Sequence, residues 1–171
     1  MRKLFPASLS FVFLSLFWLA SCTSTSTIYV VRHGEKSAPS GDVPLSGDGL
    51  QRAEDLKERL KDKKIAAVYS TNTKRTQQTA APTASYFGTS TVVYNNADSL
   101  MKALVTSKKK NTLVVGHSNT VPQMLRAIGL NPGFEGNIPD NQYDNLYEVT
   151  VKHGKKGGVS LKPQKYGVES N

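Results

Sequence analysis

An α/β fold, a three-layer αβα sandwich with a mostly parallel central sheet and an antiparallel C-terminal edge, is the architecture this sequence predicts. Short runs of strand-forming residues at 28–31, 65–69, 91–94 and 112–115 alternate with segments of helical periodicity. That alternation specifies parallel strands joined by right-handed crossovers, with helices on both faces. Two further strand-like runs, 146–151 and 159–161, flank a glycine-containing turn at 154–158 and read as a hairpin added antiparallel at the sheet edge. The chain has 171 residues, 38% hydrophobic and 20% charged, which suits one domain with its own core.

The N-terminal stretch reads differently. Arg2 and Lys3 precede an apolar run over 4–20, broken by Pro6, Ser8, Ser10 and Ser15, a pattern that fits a secretory signal better than a membrane span. Leu19-Ala20-Ser21-Cys22 resembles the lipobox of bacterial lipoproteins, and Cys22 is the only cysteine, so lipidation accounts for a thiol that no disulfide can use. The expected division is a signal peptide over 1–21, a lipidated Cys22 with a short tether to residue 27, a domain over 28–165, and a loose tail over 166–171. The polar stretch 23–27 spans at most about 17 Å when extended. The domain would then sit close to a bacterial membrane, facing the periplasm or the exterior.

Within the domain, Ile28-Tyr29-Val30-Val31 runs straight into Arg32-His33-Gly34-Glu35. A buried strand therefore delivers a cation and an imidazole at its carboxyl end, the edge where open α/β sheets bind ligands, and the glycine allows a sharp turn. Residues 36–44, with Pro39, Gly41 and Pro44, form a loop. Ser46 then caps a helix whose apolar stripe is Leu50, Ala53, Leu56 and Leu60, with Arg52, Glu54, Asp55 and Lys57 on other faces. After the second strand, Lys74 and Arg75 open a helix to about residue 87 that Pro82 bends or shortens. Arg75 thus lies at a strand's carboxyl end and a helix's amino end, both favourable to anions. The third strand leads to a short helix over 98–105, and the fourth flows into Gly116-His117-Ser118-Asn119-Thr120. A helix over 120–128 follows, with Pro122 in its first turn and Gly129 at its end.

The formal charge is +9, with basic clusters at 61–64, 108–110 and 152–156. Most of this is solvated surface, with contact to anionic lipid or acidic substrates as the lesser reading. No aromatic interleaving or nucleic-acid motif accompanies it.

Separate strand exits thus carry Arg32 with His33, then Arg75, then His117. Two guanidiniums can grip phosphate oxygens through paired donors, one histidine can attack phosphorus, and the other can donate to an oxygen. The chain resembles the histidine phosphatase superfamily, the phosphoglycerate-mutase-like group built around Arg-His-Gly. Residues 28–35 match its first motif; Tyr69-Ser70, Lys74-Arg75 and Gln78-Thr79-Ala80 are similar to the second; 114–120 are similar to the third. Similarity around Ser46 and Gln51-Arg52-Ala53 extends the coverage to about 28–151. The resemblance implies that His33 is the nucleophile forming a phosphohistidine, with Arg32, Arg75 and His117 as the phosphate pocket, and no cofactor or metal. Nearby arginines disfavour protonated His33, and a backbone carbonyl on its other nitrogen would fix the tautomer.

Such enzymes often place a carboxylic acid near the third strand's exit. Asp98 is the nearest match, with a helix N-cap as its alternative role; Glu35 is the runner-up. Ser70 and Asn119 read as loop-holding residues, His153 as exposed, and the segment 143–147 as able to help close the pocket. Three rivals stand beside hydrolysis of phosphomonoesters or phosphoramidates: a membrane-tethered, non-catalytic module that only binds phosphate or a partner; a phosphomutase, disfavoured because 94–112 leaves room for one short helix; and a zinc enzyme on His33, Glu35 and His117, opposed by the crowding cations. The expected partners are a small phosphorylated substrate and, through Cys22, the membrane, but no nucleic acid. Oligomeric state is left open.

Overall fold

The computed structural model describes residues 24–107, 110–155 and 157–170; the expected signal peptide and Cys22 lie outside the described residues. Strands β1 (Thr25–Arg32), β2 (Ala67–Ser70), β3 (Thr91–Val93), β4 (Thr112–Gly116), β5 (Asn145–Lys152) and β6 (Gly158–Lys165) form one sheet in the order β3-β2-β4-β1-β5-β6. The first four are parallel, and β5 and β6 join antiparallel beyond β1. These are the predicted strand directions. Side chains of β1 alternate between two cores, as the two-residue period requires. Ile28 and Val30 meet Met101, Val121, Met124 and Leu125 on one face, while Tyr29 and Val31 meet Leu56, Leu60, Ala80 and Ala84 on the other. The helices supplying those residues are α1 (Gly47–Leu60) and α2 (Lys74–Tyr86) on one side, α3 (Ala97–Thr106) and α4 (Thr120–Ala127) on the other.

Several local expectations are corrected. Ser46 caps α1 as read, its Oγ accepting from the Gly49 amide at 3.1 Å, but Leu50 is 50% exposed and Arg52 is buried. The inward stripe is Gly49, Arg52, Ala53, Leu56 and Leu60. Helix α2 runs through Pro82 without interruption. The N-cap of α3 is Asn96, whose side chain accepts from Ser99, so Asp98 does not cap it. The tether expected up to residue 27 has already become strand at Thr25, because residues 25–27 pair with 150–152 of β5.

The tail expected over 166–171 is docked across its described part. Tyr166 is 4% exposed. Arg52 Nη1 donates to the carbonyls of Tyr166 and Val168 at 3.3 and 2.9 Å, and Ser170 N donates to Asp144 Oδ2 at 3.2 Å. A buried aromatic and satisfied backbone groups outweigh the polar composition that made this stretch read as loose. His153, expected to be exposed, shares a 2.9 Å hydrogen bond with the Ser26 hydroxyl.

Candidate active site

The carboxyl ends of β1, β2 and β4 open onto a cavity of about 420 Å³ lined by Arg32, His33, Lys36, Arg75, His117, Ser118, Asn119 and Asp140, with Pro39, Ser40 and Gly41 at its edge. Arg32, His33, Arg75 and His117, proposed from three separate motifs, therefore share one space. The rings of His33 and His117 lie 5.4 Å apart, nearly edge to face.

The first motif is set by a close backbone approach. A Cβ at Gly34 would meet the Gly49 carbonyl oxygen at 2.9 Å, and one at Gly49 would meet the Glu35 carbonyl oxygen at 2.3 Å. The glycine thus serves contact with α1 rather than a left-handed turn. Thr79, fully buried in α2, accepts from the Gly34 amide at 3.0 Å and gives its own proton to the Arg75 carbonyl at 2.8 Å. Strand exit and helix are fastened together there.

His33 is 3% exposed. Its Nδ1 lies 2.7 Å from the Gly34 carbonyl, which can only accept, so Nδ1 carries the proton and Nε2 keeps its lone pair. Burial pushes its pKa down to about 3; the Gly34 bond opposes this, and the charges of Arg32, His117 and Arg75 add to it. The arginines help keep the imidazole neutral as expected, but desolvation is the larger cause.

His117 departs from its expected role. Arg75 Nη2 is 3.4 Å from its Nδ1, and an arginine can only donate, so Nε2 carries the proton toward Thr71 Oγ1 at 2.8 Å. Thr71 continues to Thr76 Oγ1 at 3.0 Å, and Thr76 donates to the Thr73 carbonyl at 3.0 Å. This hydroxyl chain fixes the ring. In this geometry His117 accepts from Arg75 rather than donating to an anion; donation needs a second proton. Burial, then Arg75 and Arg32, push its pKa down to about 4, a bias that an anion in the cavity would offset.

The two guanidiniums are held by backbone. Arg32 Nη1 donates to the carbonyls of Pro139, Asp140 and Gln142 at 2.7, 3.3 and 3.2 Å, and the group lies 4.3 Å from the Tyr143 ring centroid. Arg75 Nη1 donates to the Gly41 carbonyl at 3.3 Å. The Nε–H of each arginine is buried without a protein partner.

Neither proposed acid lines this cavity. Asp98 sits in the first turn of α3 with Oδ1 buried and unpartnered. Glu35 is gripped by Arg52, 2.6 Å from its Nη2 and 2.8 Å from its Nε, and lines a neighbouring cavity of about 440 Å³ together with Arg52 and Tyr143. The residue that pairs with Glu35 is thus a buried arginine. Ser70 is buried and bonds the Thr71 carbonyl, as a loop-holding residue would, whereas Asn119 lines the cavity and makes no capping bond. Thr71, Arg52 and Asp140 were missed. Thr71 directly follows β2, the position that strand-exit reasoning singles out. Among the described residues, no group of three or more His, Cys, Asp or Glu is placed to hold a metal ion.

Comparison with known proteins fits this geometry. Residues 28–97 match the family model for the histidine phosphatase superfamily, branch 1. The fold is that of the histidine phosphatases. A solved structure of the protein histidine phosphatase SixA complexed with tungstate is 18% identical, with a TM-score of 0.61 over 81% of this chain and 96% of that one. Mycobacterial glucosyl-3-phosphoglycerate phosphatase in complex with VO3 is 14% identical, at 0.65 over 83% and 100%. Phosphoglycerate mutase from Plasmodium falciparum is 19% identical, at 0.58 over 86% and 94%. Among curated proteins, none matches the sequence.

Proposed function

We propose that the protein is a phosphatase that hydrolyses small phosphomonoesters or phosphoramidates through a phosphohistidine on His33. The carrying observation is the His33 ring, its Nδ1 proton committed to Gly34 and its Nε2 lone pair free, in one cavity with Arg32 and Arg75. Two guanidiniums with unpartnered Nε–H donors offer charge-assisted bonds to an anion placed before that lone pair. The matched family model and the oxyanion complexes of two structural neighbours support the same substrate chemistry. Nucleophilic attack by Nε2 forms the phosphorus–nitrogen bond as the leaving group departs, and water then cleaves it to give orthophosphate. His33→Ala should abolish the trapped phosphoenzyme and lower turnover on the order of 10⁴-fold or more; unchanged turnover would remove His33 as nucleophile.

The same proposal places the protein on a membrane through lipid at Cys22. In support, β1 starts at Thr25 from the sheet end opposite the cavity, the end where the described basic residues Lys63, Lys64, Lys110, Lys152 and Lys155 lie. Among the described residues no helix is long and apolar enough to cross a membrane. Intact mass of the mature protein decides: an unmodified Cys22 or a retained Met1 contradicts the anchor.

A further inference from the structure

Proton transfer is the part of this chemistry that the residues so far described leave unassigned. An alkoxide leaving group needs a proton, and the water that follows must lose one. Among the described residues lining the cavity, Asp140 is the single carboxylate. It stands in the connection between α4 and β5, and that connection is anchored on both sides of it. Ile138, 2% exposed, donates its amide to the Ser118 carbonyl at 2.9 Å, one residue beyond His117. The carbonyls of Pro139, Asp140 and Gln142 are bound by Arg32 Nη1, and the Tyr143 ring lies against the same guanidinium. The Asp140 backbone is therefore fixed over the cavity, while its side chain is 95% exposed. Its Oδ1 sits 3.3 Å from Arg32 Nη2.

Arg32 consequently has one nitrogen anchored and one edge available. Nη1 belongs to the loop; Nε is unpartnered, and Nη2 holds the exposed Asp140 carboxylate. Nε and Nη2 together form the side-on fork that binds an oxyanion through two parallel bonds. Asp140 thus already engages Nη2, one of the two nitrogens of that fork.

We propose that Asp140 is the proton-transfer residue of this site, acid toward the leaving group and then base toward water; the assignment rests on the phosphohistidine reading above. A phosphoryl group entering the Arg32 fork displaces the carboxylate from its cation and sets a dianion beside it. The freed carboxyl group then stands beside the reacting phosphoryl group, where it can exchange a proton with the departing oxygen and with water. The other charged or titratable groups lining the cavity are His33 from β1, Lys36 from the loop after it, Arg75 from α2 and His117 after β4. Lys36 is turned to the Pro39 carbonyl at 2.8 Å. In the first step the His33 Nε2 pair forms the bond to phosphorus, the phosphorus–oxygen bond breaks, and the Asp140 proton passes to the departing oxygen. In the second, water attacks phosphorus as Asp140 takes its proton. The phosphorus–nitrogen pair returns to His33, and orthophosphate leaves with Asp140 protonated again.

The test is Asp140→Asn in the full chain, assayed on a series from alkyl phosphates to p-nitrophenyl phosphate. The expected loss in kcat/KM is on the order of 10²–10⁴-fold for alkyl phosphates and under about 10-fold for p-nitrophenyl phosphate, whose leaving group needs no proton. With p-nitrophenyl phosphate, phosphoenzyme trapped by an alkaline denaturing quench, in which phosphohistidine survives, should build up in the variant, because water is no longer deprotonated. The substituted side chain is exposed, so the urea midpoint should not move. A loss of equal size across the series, or none, overturns the role of Asp140 while leaving a phosphoenzyme-forming wild type intact. A wild-type chain that neither turns over the series nor forms phosphoenzyme overturns the phosphatase reading and this assignment together.

Discussion

At the scale of single residues, the two histidines separate function from stability. Both are held neutral by burial, His33 down to about pH 3 and His117 down to about pH 4. In the unfolded chain each takes up a proton near pH 6.5. The unfolded state therefore binds more protons between those limits, and stability rises with pH there. The contribution is fully present above the unfolded value and is lost as pH falls toward the folded ones. Each site weakens the fold by up to about 1.4 kcal/mol per pH unit inside its window. Urea unfolding in phosphate-free buffer should show a steep loss for the wild type between pH 6 and pH 4.5, and His33→Gln should remove roughly half of the part these rings supply. Parallel curves for the two proteins would mean that His33 is not held neutral by its site. Arg52 shows the opposite strategy: a buried cation retained because Glu35 and two tail carbonyls satisfy it.

At the scale of elements, the site depends on how closely α1 approaches the exit of β1. The Gly49 Cβ position lies 2.3 Å from the Glu35 carbonyl oxygen and 2.9 Å from the Glu35 amide nitrogen, both backbone atoms that cannot swing aside. Gly49→Ala should push α1 outward, costing about 3 kcal/mol in urea unfolding and lowering kcat/KM by more than about 10-fold, since His33 and Gly34 immediately precede that contact. An alanine variant with wild-type stability and activity would show that the contact is slack. This approach was not legible in the sequence, where Gly34 read as a turn residue, because the distance between two glycines in different elements is a tertiary quantity. The strands and their directions were legible, since buried parallel strands leave continuous apolar runs such as residues 28–31 and 113–115. The four cationic and imidazole side chains were legible because each directly follows a strand or opens a helix. Arg52 was not: a charged residue in a helical pattern is assigned to the solvent face, and only the partners Glu35, Tyr166 and Val168 make its burial tolerable. Asp140 was hidden for a related reason, lying in a loop whose path is set by bonds to Arg32 rather than by local propensity.

At the scale of the whole molecule, the sheet has two chemically distinct ends. The carboxyl ends of the parallel strands hold the cavity. The opposite end is gathered by Asn111, whose side chain donates to the Lys63 carbonyl at 2.6 Å and accepts from the Thr27 amide at 2.9 Å, and by His153, whose amide donates to the Ser24 carbonyl at 2.9 Å. Basic residues scattered along the sequence are thereby collected beside the point from which the chain enters β1. Lys64, Lys110, Lys152 and Lys155 are exposed there; Asp62 is the nearby carboxylate not engaged by a lysine, whereas Glu58 pairs with Lys57 and Lys61. An anionic bilayer on this side would attract the domain while leaving the cavity turned to solvent. A protein starting at Ser24, and so without Cys22, should bind phosphatidylglycerol vesicles in a salt-sensitive way. Replacing Lys63, Lys64 and Lys110 by Gln removes about 1 kcal/mol each, so binding should weaken roughly 100-fold. Hydrolysis of soluble phosphomonoesters should be unchanged in the same variant, because none of these residues lines the cavity. Equal vesicle sedimentation of the two proteins at low salt would show that the collected charge is only solvated surface.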